Sequence, residues 1–165
     1  MDRQILFSTG ECVLGTVLVA RSERGVCAIL LGDDAQALER DLRQRFPDDE
    51  VCDAYVGLEP LLSEVARFLA APHTALNLPL DLRGSDAEQR VWTALREIPP
   101  GRTESYGEVA RRLSLGAKEV GEACAVNPLA VAVPCHRVLR KDGSLGGYRW
   151  GLWRKRALLE RERAA

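Results

Sequence analysis

Two Ser-x-x-Glu patterns constrain the fold of this chain more than any other feature of its sequence. Ser85-Asp-Ala-Glu88 and Ser105-Tyr-Gly-Glu108 have the spacing of a capping box, in which the serine and glutamate side chains bind the free amides at the start of a helix. They predict helices over 85–97 and 105–113, followed by a tight turn and a third helix over 117–125. Helix, tight turn and helix in this order are typical of DNA-binding proteins.

The first half of the chain favours a small sheet with helices. Two apolar runs, 13–20 and 26–31, are joined by a turn-rich link and predict a β-hairpin. Apolar residues at helical spacing predict one helix that ends at Pro47 and another over 60–70. The N-terminal half is therefore expected to begin with the sheet and to add helices after it.

An extended connector with two prolines, 71–85, separates the halves of the chain. We therefore predict an N-terminal α/β lobe of residues 1–84 and a C-terminal domain of residues 85–165. The C-terminal domain is expected to be mostly helical, with a short buried strand over 129–133 and a last helix over 151–163. The predicted fold class is α+β, with a small antiparallel sheet in the N-terminal lobe.

The two halves of the chain also differ in net charge. The 165 residues have a net charge of −1, and 46% of them are apolar, which excludes a polybasic tail protein and a highly charged disordered chain. Residues 1–85 carry 8 basic and 14 acidic side chains, whereas residues 86–165 carry 15 and 10. The two halves, at −6 and +5, are expected to face different electrostatic partners.

The sequence also bears on compartment and redox state. No apolar run approaches the roughly 20 residues that span a bilayer, and the N-terminus lacks the layout of a signal peptide. We expect a cytoplasmic protein without membrane contact. The five cysteines are odd in number and include no Cys-x-x-Cys pair, so reduced thiols are expected rather than a disulfide framework or a metal site.

The segment around Cys135 carries the candidate chemistry. A cysteine is a strong nucleophile only as its thiolate, which is favoured by a neighbouring base or cation. His136 and Arg137 follow Cys135, but on extended backbone His136 points away from the thiol and would act through a water molecule or a local bend. Alone, the pair favours a buried thiol beside a satisfied histidine. The rigid Asn127-Pro128 before it and the glycine-rich loop 141–147 after it favour a reactive site.

The motifs around this cysteine resemble those of a known family. Pro134-Cys-His-Arg-Val138, preceded by Asn127-Pro128 and followed by Gly147-Tyr-Arg-Trp-Gly151, is similar to the active-site segment of the O6-alkylguanine-DNA alkyltransferases. The likeness covers nearly the whole chain and is greatest to the C-terminal half of the bacterial adaptive-response methyltransferases. It implies that residues 85–165 form a DNA-binding and alkyl-acceptor domain.

The resemblance also implies an activity. A damaged guanine would be flipped out of the duplex, and its O6-alkyl group would be transferred irreversibly to Cys135, once per protein molecule. O4-methylthymine is a further candidate substrate. No cofactor and no metal are implied, and the implied partner is double-stranded DNA that contains O6-alkylguanine, bound by a monomer.

The resemblance further implies roles for matched residues. His136 would be a water-mediated base oriented by Glu162, Tyr106 would donate a proton or hydrogen bond to the leaving guanine, and Asn127 would fix the turn that holds the thiol. The implied catalytic residues are Cys135, His136, Glu162, Tyr106 and Asn127. The implied substrate-binding residues are Tyr148, Arg149, Val138 and Trp150, of which Trp150 suggests a narrower pocket. The implied DNA-binding residues are Lys118, Ala117, Gly121, Ala125 and Arg137.

Taken singly, several of these residues have structural alternatives. Glu162 could be an exposed surface charge, and Tyr106 could be half-buried packing. Asn127 before a proline is more often the end of a helix than a functional group.

Two positions depart from the family pattern. Lys118 stands where the family places an arginine that replaces the flipped base, and lysine lacks the planar guanidinium that stacks among bases. Glu119 stands where alanine is usual, and the link between the two helices is shorter than usual. We therefore expect weaker and more salt-sensitive DNA binding. Lys118 could also pair with Glu122 one turn further along the helix.

Two other functions stay open at this stage. The first is an alkyltransferase-like protein that binds damaged DNA with impaired transfer. Such proteins lack the acceptor cysteine, so Cys135 argues against this function. Lys118 and Glu119 leave it open, because both depart from the family pattern. The second is a cysteine hydrolase that uses Cys135 and His136. It would need turnover and a third orienting group near an acyl pocket, which no sequence motif supports.

Overall fold

The computed structural model describes residues 4–54 and 56–163. In these ranges the strands are Gln4–Cys12 (β1), Gly15–Arg21 (β2), Val26–Gly32 (β3), Glu50–Asp53 (β4), Glu104–Ser105 (β5) and Val138–Leu139 (β6). The helices are Ala35–Arg45 (α1), Glu59–Ala70 (α2), Asp86–Leu95 (α3), Tyr106–Leu113 (α4), Ala117–Ala125 (α5) and Leu152–Arg163 (α6). The α+β fold class is confirmed.

The main sheet has four strands in the order β3-β2-β1-β4. The predicted hairpin is confirmed as β2 and β3, which pair in antiparallel fashion. Strand β1 also runs antiparallel to β2, but β4 pairs with β1 in parallel, so the sheet is mixed rather than wholly antiparallel. β5 and β6 form a separate parallel pair that joins the start of α4 to the segment after Cys135.

Both predicted capping boxes are confirmed. The amide of Glu88 donates to Ser85 Oγ at 3.1 Å, and the Ser85 amide donates to the Glu88 carboxylate at 2.9 Å. Ser105 and Glu108 make the same pair of bonds at the start of α4, at 3.1 and 3.4 Å. These bonds satisfy amides that a helix start otherwise leaves without partners, which explains why both helices begin where the pattern predicts.

Helices α4 and α5 form the predicted helix-turn-helix. Helix α4 ends at Ser114, which adopts a left-handed conformation with φ of 56°, and α5 begins after Gly116. The buried side chains of α5 are Val120, Ala123 and Cys124. Ala117, an implied DNA-binding residue, is exposed at the start of this helix.

The prediction of a buried strand over 129–133 is wrong. This segment is a compact turn in which the Val133 amide donates to the Leu129 carbonyl at 3.0 Å. The Asn127 side chain imposes the turn, because its Oδ1 accepts from the Leu129 amide at 2.8 Å and its Nδ2 donates to the Val133 carbonyl at 3.0 Å. The turn still contacts the sheet, since Ile29 on the outer edge of β3 bonds to Pro128 and Ala130 at 2.9 Å each.

One continuous apolar core runs through the described residues. It contains side chains from β2, β3, α1 and α2 together with side chains from α3, α4, α5 and the active-site turn. Trp92 of α3 lies at its centre, fully buried, with Nε1 donating to the Ala123 carbonyl of α5 at 3.0 Å. The division at residues 84 and 85 stays a prediction. None of the helices in the described ranges is long and apolar enough to cross a bilayer.

Candidate active site

The Cys135 thiol is buried at the start of a single 3-10 turn, Cys135–Arg137. Asn127 Nδ2 lies 3.3 Å from its Sγ, so the same side chain that shapes the preceding turn also donates to the sulfur. Burial raises the pKa of the Cys135 thiol, while the Asn127 hydrogen bond and the nearby Lys155 charge act in the opposite direction. The resting group is therefore a thiol that needs a base.

A buried ion cluster lies on the other side of the 3-10 turn. His136 Nε2 is 2.7 Å from Glu162 Oε1 on α6, and both side chains are buried. Burial lowers the pKa of His136, opposed by its bond to Glu162. Burial alone would raise the pKa of Glu162, but the hydrogen bonds from His136 and Arg137 hold it below its ordinary value. The ionised Glu162 thus fixes the proton of neutral His136 on Nε2 and leaves Nδ1 as the basic nitrogen.

Arg137 belongs to this cluster and not to a DNA-binding surface, which corrects the sequence assignment. Its Nε and Nη2 donate to Glu162 Oε1 at 3.0 and 2.8 Å, and its Nη1 donates to the Ile98 carbonyl at 2.7 Å. The 3-10 turn is the local bend that the sequence allowed, and it turns the Arg137 side chain inward. The Arg137 guanidinium therefore makes its hydrogen bonds inside the protein.

A cavity of about 280 Å³ opens beside the thiol. It is lined by Tyr106, Gly121, Cys124, Ala125, Cys135, Gly147, Tyr148 and Arg149. Of these residues, the resemblance gave a catalytic or substrate-binding role to Tyr106, Cys135, Tyr148 and Arg149. It gave a DNA-binding role to Gly121 and Ala125. The structure therefore brings both groups of residues to one cavity. Cys124 is buried and forms part of the cavity wall.

Two predicted substrate-binding side chains do not line this cavity. Val138 is fully buried in β6 and uses its carbonyl to bind Lys155. Trp150 is buried behind Tyr148, with the two rings edge to face and their centroids 5.3 Å apart. The Trp150 ring also lies 5.5 Å from the Arg149 guanidinium, so it supports the cavity wall through Tyr148 and Arg149 without forming it.

Tyr106 and Arg149 both line the cavity. Burial raises the pKa of Tyr106 to about 12, so its hydroxyl keeps its proton and can donate it in a hydrogen bond. Arg149 Nη2 binds both carboxylate oxygens of Asp41 in α1 at 3.0 and 3.1 Å, and Nη1 donates to the Asn127 carbonyl at 3.0 Å. The Arg149 side chain thus ties the cavity wall to the N-terminal half of the chain.

Comparison with known proteins places this geometry in a family. Residues 86–164 match the family described as 6-O-methylguanine DNA methyltransferase, DNA binding domain. The inducible methylated-DNA–protein-cysteine methyltransferase of Bacillus subtilis is 38% identical over 125 residues, which cover 74% of this chain and 70% of the relative. The chain belongs to this family.

Two further relatives extend the comparison. The Escherichia coli K12 bifunctional transcriptional activator/DNA repair enzyme Ada is 47% identical over 160 residues, which cover 96% of this chain and 45% of Ada. The chain thus spans about half the length of that relative. The crystal structure of Mycobacterium tuberculosis OGT in complex with DNA superposes with a TM-score of 0.80 at 33% identity, covering 96% of this chain and 93% of that one.

In this methyltransferase-family chain, the two residues of α5 that depart from the family pattern, Lys118 and Glu119, make contacts within the helix and its start. Glu119 Oε1 accepts the Gly116 amide at 3.1 Å and so caps the helix where Gly116 has no side chain to do it. Lys118 Nζ lies 3.9 Å from Glu122 Oε1, and 90% of the Lys118 side chain is exposed. Lys118 and Ala117 are therefore accessible at the start of α5, as the family resemblance implies.

Lys155 is the site residue that the sequence analysis missed. It is fully buried in α6, and its Nζ donates to the carbonyls of Val138, Leu145 and Gly147. Burial lowers the pKa of Lys155, opposed by the neighbouring Cys135. A signal was present, because Lys155, Leu158, Leu159 and Glu162 follow the i, i+3, i+4, i+7 spacing of an inward helix face. Leu152, at the start of the same helix, is 47% exposed.

Proposed function

We propose that this chain repairs DNA by transferring an alkyl group irreversibly from O6-alkylguanine to Cys135. One observation carries the proposal: the buried Cys135 thiol lines a cavity that reaches the helix-turn-helix, and the next residue in the chain, His136, is oriented by Glu162. A nucleophile that faces a substrate-sized cavity and is followed by an oriented base fits covalent group transfer. The names of the relatives support the same activity.

The base has a defined place in this mechanism. His136 Nδ1 is buried and has no hydrogen-bond partner among residues 4–54 and 56–163. We infer that it takes the Cys135 proton through a water molecule, while Glu162 stabilises the positive charge that forms on the ring. Arg137 keeps Glu162 ionised throughout.

Transfer then exchanges one bond for another. The sulfur attacks the alkyl carbon, an S–C bond forms, and the C–O6 bond breaks with its electron pair left on the guanine. Tyr106 donates a hydrogen bond or proton to the departing base, and the proton that the thiol lost balances the proton that the guanine gains. The thioether has no simple reverse reaction, so each molecule acts once.

The substrate is a base that has left the duplex. The cavity opens beside Gly121 and Ala125, whose small side chains allow DNA to approach α5 closely. Flipping a nucleotide costs a few kcal/mol and costs least where alkylation has weakened the base pair. Specificity for O6-alkylguanine, activity on O4-methylthymine, a narrower pocket, a monomeric state and a cytoplasmic location stay predictions.

The decisive experiment follows the alkyl group. The protein is incubated with a duplex that contains one O6-methylguanine, and its peptides are weighed. A gain of one methyl group on the Cys135 peptide, absent in Cys135→Ser, supports the proposal. Cys124→Ser is the matched control, because Cys124 lines the same cavity, and it should still be methylated at Cys135.

The other outcomes identify the competing functions. Unmodified protein that binds the damaged duplex would indicate a damage-binding protein with impaired transfer, which Lys118 and Glu119 in α5 would favour. Repeated turnover of an acyl substrate without loss of the thiol would indicate a hydrolase.

A further inference from the structure

Helix α5 carries too little positive charge to account for DNA binding by itself. It contains Lys118 but also Glu119 and Glu122, and Lys118 faces Glu122. The sequence-independent part of DNA affinity comes from Lys and Arg side chains that neutralise phosphates. Other cations near the cavity are therefore needed.

Several basic residues near the thiol are not available for that task. Nine basic residues lie between Cys135 and the end of the chain. Four of them are held inside the protein: Arg137 by Glu162, Arg149 by Asp41, Arg154 by Asp33 and Lys155 by backbone carbonyls. These four charges thus serve the structure of the protein itself.

Arg140 differs from these four in its position. It is exposed, and it lies at the end of β6, close to the cavity. A Cβ placed on Gly146 would lie 3.3 Å from Arg140 Cγ and 3.4 Å from the hydroxyl oxygen of Tyr106, which lines the cavity. The aliphatic part of the Arg140 side chain and the Tyr106 hydroxyl therefore both lie next to Gly146, at the edge of the cavity.

The backbone that carries Arg140 is fixed. Its amide donates to the Ser144 carbonyl at 3.0 Å, and its carbonyl accepts from the Gly143 amide at 2.9 Å. The carboxylate of Asp142 in the same turn is bound by the Ser144 amide and hydroxyl. No ion pair within residues 4–54 and 56–163 involves Arg140.

We propose that Arg140 binds a DNA backbone phosphate beside the extruded nucleotide. The proposal rests on the proposed function, because it requires DNA at the cavity rim. It supplies the cation that α5 lacks, from a turn whose backbone is held in place before DNA arrives. The positive charge of Arg140 also acts on Tyr106, because it opposes the rise in the Tyr106 pKa that burial causes.

The test measures DNA affinity as a function of salt. Arg140→Gln is made in the Cys135→Ser background, and its affinity for a duplex with one O6-methylguanine is compared with that of Cys135→Ser alone between 50 and 200 mM NaCl. Loss of one phosphate contact should weaken binding about three- to tenfold at the lower salt and reduce the slope of log K against log salt by about 0.9. Arg140→Lys, which keeps the charge, should restore most of the slope.

Two comparisons keep the result specific. Arg24→Gln removes the same charge from an exposed position on the β2–β3 turn, and an equal effect of this variant would overturn the proposal. With the free base O6-methylguanine, which has no phosphate, the transfer rate of Arg140→Gln on active protein should fall less than its rate on DNA. An equal fall on both substrates would place Arg140 in the chemistry instead and also overturn the proposal. Methylation of the parent protein separately reports whether the proposed function holds.

Discussion

At the scale of single residues, Glu162 controls the buried charge of the site. One of its oxygens accepts from both His136 and Arg137, so its removal would leave the buried guanidinium without a counter-ion. We expect Glu162→Gln to destabilise the protein by about 3–5 kcal/mol. The measurement is urea unfolding, and Glu160→Gln, an exposed neighbour on α6, is the control that should change little.

Glu162 also predicts how stability depends on pH. Its pKa in the folded protein lies below the ordinary value of 4.5, so its stabilising contribution is complete above about that value and is lost as the pH falls through the lowered pKa. Part of the loss of stability on acidification below pH 4.5 should therefore be missing in Glu162→Gln. An unchanged pH dependence in this variant would contradict the assignment.

Asn127 links the shape of the active-site turn to the reactivity of the thiol. Asn127→Ala would leave the buried Leu129 amide and Val133 carbonyl without the side-chain partners that they have in the native turn, at a cost of about 2–4 kcal/mol. It would also remove the hydrogen bond to Sγ that lowers the Cys135 pKa. The rate of iodoacetamide alkylation of Cys135 should then rise at a higher pH than in the native protein. A coincident pH profile would show that Asn127 has no influence on the thiol.

The sequence predicted some of these residues and not others, for a physical reason. Cys135, His136 and Glu162 came from motifs that resemble a family, and the structure brings all three together. Arg137 was assigned to DNA by the resemblance alone, yet here a carboxylate from α6 binds its guanidinium inside the protein. Lys155 was missed although its helical spacing indicated an inward position, because its partners are carbonyls of β6 and of the glycine-rich loop, which only the fold brings to it.

At the scale of elements, the helices were predicted better than the strands. Capping boxes are local signals, and both mark a helix start in the structure. β1 was not predicted, because its second half is polar, and β4 is only four residues long. The run at 129–133 has strand-like composition, but the Asn127 side chain competes successfully for its backbone groups.

Helix α5 makes a prediction in which stability and DNA affinity change in opposite directions. Glu119→Ala removes the cap on the Gly116 amide and should cost about 0.5–1 kcal/mol of stability. The same change removes a carboxylate from the helix that we propose faces DNA, and it should raise affinity for duplex DNA, most clearly at low salt. Thermal unfolding and a salt titration on the same variant test both effects. A fall in both quantities would mean that the cap matters more for DNA binding than the charge does.

At the scale of the whole molecule, the active site depends on both halves of the chain. The turn that precedes Cys135 is bonded to β3, and Asp41 and Asp33 of the N-terminal half bind Arg149 and Arg154. We therefore expect one cooperative unfolding transition, seen alike by circular dichroism and by the exposure of Cys135.

A fragment of residues 85–165 provides the complementary test. It lacks β3 and both aspartates, so it should show little fixed structure and no methyl transfer, although it contains every residue proposed for catalysis. A fragment that folds and accepts a methyl group would show that the two halves are independent domains.

The bonds between β3 and the active-site turn have a further consequence for solubility. β3 is an edge strand of the main sheet, and its outer edge is occupied by Leu80 near one end and by Leu129 near its middle. An uncovered apolar edge strand is a template for pairing with another chain. The turn that holds the thiol therefore also covers an edge at which another chain could pair. Substitutions that unfold this turn should promote aggregation as well as loss of the proposed repair activity.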